Sequence, residues 1–197
     1  MTPPPLTVLA VVGSLNRAST TRVVIKSIAE RLEAAGVRVD LLDLLEEPLA
    51  LFSPDSSHAH EAFPKLKERV ELADVYLLGT PDYHGSMSSA LKNFLDHFWQ
   101  EFAGKLFASV VASNEKGLTV TDQIRTVARQ CYAWSMPYAV SFVEETDVKD
   151  GQIVSERFQD RIDMLARDLQ VYGGILARQR QADLAGGEPG FLARLRP

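Results

Sequence analysis

Residues 6–21 of the chain read LTVLAVVGSLNRASTT, and they contain the first strand and the start of the first helix that the sequence predicts. Its first part, Leu6 to Val12, is a continuous apolar run that ends at Gly13. Such a run suits a strand that is buried on both faces of a parallel sheet. Apolar residues then recur at helical spacing from Thr20 to Ala35, and Gly36 stops the pattern. The start of the chain therefore predicts a strand followed by a helix.

The rest of the chain repeats this alternation. Further strands are predicted at 37–42, 75–79, 106–112 and 138–143, and further helices at 64–73, 88–102, 119–134 and 156–177, with a capping pattern of Thr119 and Asp122 on the third of these helices. Strands that alternate with helices imply an α/β fold with a doubly wound parallel sheet and helices on both faces. Five strands fit the flavodoxin-like version, whose strand order is 2-1-3-4-5.

A single domain is expected to span residues 1–178, because a chain of 197 residues can bury one sizeable core. The remaining tail, 179–197, is rich in Arg, Gly and Pro and shows no sustained periodicity. Disorder is one interpretation of this composition. Docking on a partner subunit is the other, because Phe191 and Leu192 form an apolar pair within the tail.

Composition excludes several classes of function. A formal charge of -5 and a pI near 5.4 argue against a nucleic-acid partner, which would need clustered excess Lys and Arg. Cys131 is the single cysteine, so no intrachain disulfide can form, and we expect a cytoplasmic protein. The apolar run at the start is too short to insert into a membrane.

The loop after the first strand, residues 13–21, carries many hydroxyl groups. It lies beside the switch point at which doubly wound sheets bind ligands. A phosphate there would meet free backbone N–H groups and the positive end of a helix dipole. Dinucleotide and P-loop fingerprints need more glycines than Gly13, so the loop suits a terminal monophosphate better than a pyrophosphate. The alternative is that the Ser and Thr side chains only cap the helix.

A second loop, residues 80–88, follows the third predicted strand and reads TPDYHGSMS. Tyr83 and His84 offer flat surfaces, and Gly85 permits a close approach, so the loop could hold a ring system such as an isoalloxazine. The alternative is a Pro-initiated turn with a helix cap at Ser86 or Ser88. Two such loops in register on one predicted sheet favour the ligand site.

These loops, together with residues 91–96 (LKNFLD), resemble the NAD(P)H-dependent FMN reductase family, which includes related azo and quinone reductases. The run from Pro81 to Asp96 is the specific part of the resemblance. It implies a flavodoxin-like FMN-binding domain, noncovalent FMN, and a homodimer or homotetramer. It also implies that hydride passes from NADPH or NADH to the flavin, and then to a small-molecule acceptor such as a quinone, an azo compound or free flavin.

The resemblance also assigns the site residues. The FMN phosphate falls to Ser14, Asn16, Arg17, Ser19, Thr20 and Thr21. The isoalloxazine and ribityl side falls to Pro81, Asp82, Tyr83, His84, Gly85 and Ser86, with Ser113, Asn114 and Gly117 as neighbours from the loop after the fourth strand. This sequence departs from many family members at Asn16, where they have Arg, and at His84, where they have Asn.

No side chain is expected to act as a catalytic acid or base, because the flavin carries the hydride. His84 is the titratable group expected near the ring, where it would tune the flavin or donate a proton to a quinone. A flavodoxin-type electron-transfer protein without nicotinamide turnover is the main alternative, and a flavin-free scaffold is a third. No metal site is expected, since His58 and His60 lack an evident third ligand.

Two patterns on the helix after the second loop are interpreted as structural. Lys92 and Asp96 lie one turn apart, so they can form an ion pair. Aromatic residues recur at helical spacing on the same segment and predict core, with a subunit interface as the alternative. These residues are Phe94, Phe98, Trp99 and Phe102.

Overall fold

The computed structural model describes residues 5–57 and 60–196. Its strands are β1 (Thr7–Val12), β2 (Arg38–Asp43), β3 (Val75–Tyr83), β4 (Ser86–Met87), β5 (Leu106–Ala112), β6 (Trp134–Ser135), β7 (Val140–Phe142), β8 (Val148–Lys149) and β9 (Gln152–Ile153). Its α-helices are α1 (Thr20–Ala34), α2 (Phe63–Leu72), α3 (Ser89–Asp96), α4 (Leu118–Gln130) and α5 (Glu156–Ala185).

The central sheet is parallel, and β1 lies between β2 and β3. β5 follows β3, and both β6 and β7 pair with β5 at the far edge. β6 and β7 thus form the fifth strand in two pieces. Pro137, which has no N–H to donate, stands between them. The predicted order 2-1-3-4-5 is confirmed.

Helices cover both faces of the sheet, as predicted. Alternate residues of β1 point to opposite sides, since Val8 and Val12 join the core beneath α1 and α5, whereas Leu9 joins the core beneath α2, α3 and α4. Burial of each such aliphatic side chain contributes roughly 1.5–3 kcal/mol. The apolar run at 6–12 is continuous because both of its faces are buried.

Some predicted helix ends were wrong. The helix predicted to reach Phe102 ends at Asp96, and a separate 3-10 turn covers Gln100–Phe102. Trp99, in the break between them, is exposed, while the three phenylalanines of its cluster are buried. α4 begins after Gly117, whose φ is 60°, and its N-terminus has no side-chain cap, so the predicted cap at Thr119 is not formed.

The C-terminal segment also differs from the prediction. α5 continues to Ala185, so the expected domain boundary at residue 178 falls inside a helix. A 3-10 turn at Phe191–Leu195 follows, and Leu192 is buried. In the structure, the first part of this segment continues α5 and the last part packs on the same domain as a 3-10 turn. The polar composition of the segment did not indicate this arrangement, because polar side chains hold the segment by hydrogen bonds to backbone groups. The Arg180 guanidinium, for example, donates to the Ala103 carbonyl oxygen at 2.9 Å. Docking of the segment on a partner subunit stays a prediction.

α5 is the longest helix, with 30 residues, and charged side chains recur along its length. Throughout the part of the chain that the structure describes, no helix combines the length and the apolar character needed to cross a bilayer.

Candidate functional site

Three loops meet at one edge of the sheet, at the carboxyl ends of β1, β3 and β5. The first two are joined through Gly13, whose N–H donates to the Gly79 carbonyl oxygen at 2.8 Å and whose own carbonyl accepts from the Ser88 hydroxyl at 2.6 Å. A Cβ atom at Gly13 would lie 2.7 Å from that Gly79 oxygen. Only glycine therefore allows the two loops to approach so closely.

An ion pair supports the first loop, residues 13–19, from within. Arg22, on the first turn of α1, pairs with Asp43 at the end of β2, and both side chains are largely buried. The same guanidinium donates to the carbonyl oxygens of Asn16 at 2.9 Å and Arg17 at 3.2 Å. The hydrogen bond that Arg22 donates to the Asp43 carboxylate raises the pKa of Arg22. These two carbonyl oxygens of the loop therefore point toward the buried ion pair.

Four N–H groups of the loop and the first turn of α1 are left available. Within the described residues, those of Arg17, Ser19, Thr20 and Thr21 have no hydrogen-bond acceptor. The Ser19 hydroxyl caps α1 by accepting from the Arg22 N–H at 3.2 Å. Unpaired N–H groups at a helix N-terminus suit a phosphate, so the loop fits the phosphate of FMN.

The other predicted phosphate ligands differ in their surroundings. The Ser14 hydroxyl and the Asn16 amide oxygen accept N–H groups within the loop, at 3.3 and 3.0 Å. The Arg17 side chain is exposed, and no hydrogen bond holds it in the described structure. Thr20 donates its hydroxyl hydrogen to the carboxylate of Glu144. Thr21 is buried with its methyl group toward Gly79, so its side chain packs beneath the loop.

The second loop is a β-hairpin. β3 extends to Tyr83 and pairs with β4, so that only His84 and Gly85 form the turn. Their φ angles are 57° and 78°, as a type I′ turn requires. The predicted cap at Ser88 is confirmed, because its hydroxyl accepts from the Leu91 N–H at 3.1 Å. The Pro-initiated turn at Pro81 was wrong, since Pro81 lies within β3.

A glutamine on α4 holds the hairpin in place. The Gln123 amide donates to the Gly85 carbonyl oxygen at 3.1 Å, and its own oxygen accepts from the Ser86 hydroxyl at 2.9 Å. Asp82 links the hairpin to the third loop, since its carboxylate accepts from the Gly85 N–H and from the Ser113 hydroxyl, both at 2.8 Å. These contacts fix the second and third loops relative to each other.

An open cleft of about 490 Å³ lies between the second and third loops. Five predicted residues line it, and Glu115, Leu118 and Thr119 complete its wall. The five are Asp82, His84, Gly85, Ser113 and Asn114. Gly117 lies beneath the cleft, where a Cβ atom would come within 2.6 Å of Val111. The first loop, Pro81, Tyr83 and Ser86 lie outside the lining.

Sequence reasoning missed four residues that shape the site. Arg22 and Asp43 are separated by a helix and a strand, Gln123 lies on a different helix from the loop it holds, and Glu144 follows the last strand of the sheet. Each acts through a contact between distant parts of the chain. The one local signal was His84-Gly85, since Gly after a residue that tolerates positive φ is typical of a two-residue hairpin turn.

The remaining predicted groups lie elsewhere. Lys92 and Asp96 form the expected pair at 2.5 Å on α3. His60 accepts from the Ala62 N–H at 3.2 Å, and His58 lies outside the described residues. Across 5–57 and 60–196, no cluster of three or more His, Cys, Asp or Glu side chains could hold a metal ion.

Comparison with known proteins identifies the family. The family model of NADPH-dependent FMN reductases matches residues 6–147. The NADPH azoreductase of Bacillus sp. (strain OY1-2) is 33% identical over 164 residues, which cover 81% of this chain and 88% of that protein. The FMN-dependent NADPH-azoreductase of Staphylococcus aureus is 27% identical over 141 residues, covering 68% and 74% respectively.

A solved structure supports the fold. The flavoenzyme NAD(P)H:(acceptor) oxidoreductase of Paracoccus denitrificans superposes with a TM-score of 0.71 at 21% identity, over 86% of this chain and 97% of that one. The resemblance inferred from the loops, the α/β fold and the cofactor prediction are all confirmed. The chain belongs to the NADPH-dependent FMN reductase family and is an NAD(P)H-dependent flavoprotein oxidoreductase whose cofactor is FMN.

Proposed function

We propose that the first loop binds the FMN phosphate, that the cleft between the second and third loops receives the isoalloxazine ring, and that azo compounds and quinones are the acceptors. The observation that carries the proposal is the set of unpaired N–H groups of Arg17, Ser19, Thr20 and Thr21, held at the same sheet edge as the open cleft. When bound, FMN supplies the hydride chemistry. The protein supplies binding, orientation and hydrogen bonds.

The binding role of the first loop follows from its support. Arg22 fixes two loop carbonyl oxygens, and Ser19 fixes the start of α1. A phosphate would therefore meet donors that are already ordered, which lowers the entropic cost of binding. Arg17 is free to turn its guanidinium toward the phosphate, where a charge-assisted hydrogen bond is stronger than a neutral one.

The orienting role belongs to the hairpin. Gln123 and Asp82 hold the turn at Gly85 from both sides, so the backbone groups next to the cleft are fixed. His84 is exposed at the tip and lines the cleft, and its imidazole would tune the ring or donate a proton to a quinone. The openness of the cleft suits acceptors of several shapes.

Azo compounds are the first acceptors to test, because the curated relatives above are named azoreductases. NADPH is the first donor to test for the same reason. We further propose a cytoplasmic homodimer or homotetramer. Its association is supported by an apolar depression between α3 and α4 of about 530 Å³, with Met87 and Val127 in its wall.

The phosphate assignment is tested by a matched pair of cap variants. Ser19 caps α1 and Ser155 caps α5, each by accepting a backbone N–H at 3.2 Å. Substitution of either by Ala removes one cap, which costs about 1 kcal/mol of stability. Only Ser19→Ala should also weaken FMN binding, by about tenfold, measured through quenching of FMN fluorescence. Equal FMN affinity in the two variants would place the phosphate elsewhere.

A further inference from the structure

A second pocket lies at the opposite edge of the sheet from the cleft. It has a volume of about 300 Å³ and is lined by residues that precede β5, end α4 and form the final 3-10 turn, among them Trp99, Cys131, Tyr132, Phe191, Arg194 and Leu195. The Gly104 N–H donates to the Tyr132 carbonyl oxygen at 2.8 Å, which places this region at the amino ends of β5 and β6. The flavoprotein chemistry proposed above does not use it.

Half-exposed aromatic side chains lie in the wall of this pocket and beside it. Both tryptophans of the chain, Trp99 and Trp134, together with Tyr132 and Phe191, are between 44% and 56% exposed. The Phe191 ring stacks on Tyr132, with centroids 6.3 Å apart and planes 16° from parallel, and meets Trp134 edge-on. Rings held in this way present flat apolar faces, which is typical of a site for another ring.

The backbone at Tyr132 adopts an unusual conformation at the wall of the pocket. Its φ is 57°, a left-handed conformation in which a bulky residue is a genuine outlier. The position ends α4, where the Ala133 N–H donates to the Ala128 carbonyl oxygen at 2.8 Å, a turn in which Gly is the usual residue. A tyrosine at this position keeps its ring at the pocket wall although its backbone conformation is unfavourable. Such strain is concentrated at functional sites.

The C-terminal wall of the pocket is fixed before any ligand binds. Leu192 packs against Gly104, where an added Cβ atom would lie 2.9 Å from its Cδ1. Arg180 donates to the Ala103 carbonyl oxygen, and Arg196 donates to that of Asp183 at 2.8 Å. The final 3-10 turn is therefore held on the body of the domain. A preformed concave site binds a small ligand at a lower entropic cost.

The charge of the pocket wall favours an anionic ligand. Arg194 is the one charged side chain in the wall, and within the described residues it makes no ion pair. No acidic side chain lines the pocket. We propose that this pocket binds a small aromatic anion, with its ring against Tyr132 and Phe191 and its carboxylate or sulfonate on Arg194. The volume accommodates one or two fused rings.

The test uses the protein's own fluorescence, because both tryptophans belong to this aromatic cluster. The full chain is saturated with FMN, so that the cleft is filled, and is titrated with 3-phenylpropanoate or with neutral 3-phenylpropanamide. We expect a saturable shift of tryptophan emission with a Kd on the order of 0.1 to 1 mM for the anion, and about tenfold weaker binding of the amide. Arg194→Met should remove the difference between the two ligands.

Tyr132→Gly separates a binding role from a structural one. Glycine suits the positive φ, so this variant should keep the wild-type Tm, whereas its affinity for the anion should fall by about tenfold or more. Phe191→Ala should lower the affinity for the anion similarly. Tyr172 is an exposed tyrosine on α5, and Tyr172→Ala should leave this affinity unchanged. Absence of a saturable shift, or unchanged binding by Tyr132→Gly and Phe191→Ala, would overturn the proposal. So would a sedimentation coefficient and tryptophan emission that change together with protein concentration, since a second copy would then cover the pocket.

Discussion

Replacement of Arg22 by Met tests how the phosphate loop is supported. Arg22 and Asp43 retain only 14% and 10% exposure of their side chains, and the guanidinium also holds the carbonyl oxygens of Asn16 and Arg17. Methionine keeps most of the length of the side chain but removes every donor. The variant therefore leaves the Asp43 carboxylate without its cation and the loop carbonyl oxygens without their donor.

The magnitude follows from burial. Removal of one partner from a fully buried pair costs about 3–5 kcal/mol, and the remaining exposure of this pair lowers the expected loss to about 2–3 kcal/mol. Ordering one or two freed loop residues again on binding would cost about 1–3 kcal/mol, so FMN affinity should fall by roughly tenfold to a hundredfold.

The assay is urea unfolding of the FMN-free protein, together with FMN titration followed by flavin fluorescence. Arg31→Met is the matched control, because Arg31 lies on the same helix but pairs with Asp163 at the surface. It should cost less than about 1 kcal/mol and leave FMN affinity unchanged. If Arg22→Met lost no more stability than Arg31→Met and bound FMN normally, the reasoning about the loop would be refuted.

Three further predictions concern single ionisable groups. Glu144→Gln should tighten FMN binding about threefold to tenfold, because a carboxylate on Thr20 repels a phosphate; weaker binding in titrations would contradict this. Burial lowers the pKa of Lys105 to about 7, from 10.5. Above pH 7 the folded state then binds fewer protons than the unfolded state. The free energy of unfolding should therefore rise by up to about 1.4 kcal/mol per pH unit toward pH 10. Lys105→Met should flatten this slope in urea unfolding. His84→Asn should change the pH dependence of quinone reduction between about pH 5 and 8, and an unchanged profile would exclude a role for the imidazole.

Much of the fold was predictable because burial leaves its mark locally. The runs at 6–12, 75–79 and 106–112 became β1, β3 and β5, all buried on both faces. The order of the sheet then followed from the alternation of strands and helices. The split fifth strand was less visible, because Pro137 interrupts a short segment whose pairing depends on β5.

Site prediction depended on the range of each contact. Loops at the carboxyl ends of the strands were located because their position follows from topology. Their supports were not, since the Gln123 contact with Gly85 joins residues 38 apart and the contact of Glu144 with Thr20 joins residues 124 apart. The cap expected at Thr119 is not formed for a related reason. α4 begins after Gly117, which packs against Val111, and the spacing of residues in the sequence does not show this packing constraint.

The visible absorption spectrum of the FMN-saturated protein, recorded without oxygen before and after addition of NADPH, shows whether the bound flavin accepts hydride from the nicotinamide. We expect oxidised-flavin bands that bleach completely once NADPH is added, and that return when an azo dye is supplied as acceptor. Bands that persist with NADPH but bleach with a chemical reductant would contradict this expectation, since that behaviour belongs to an electron carrier without nicotinamide turnover.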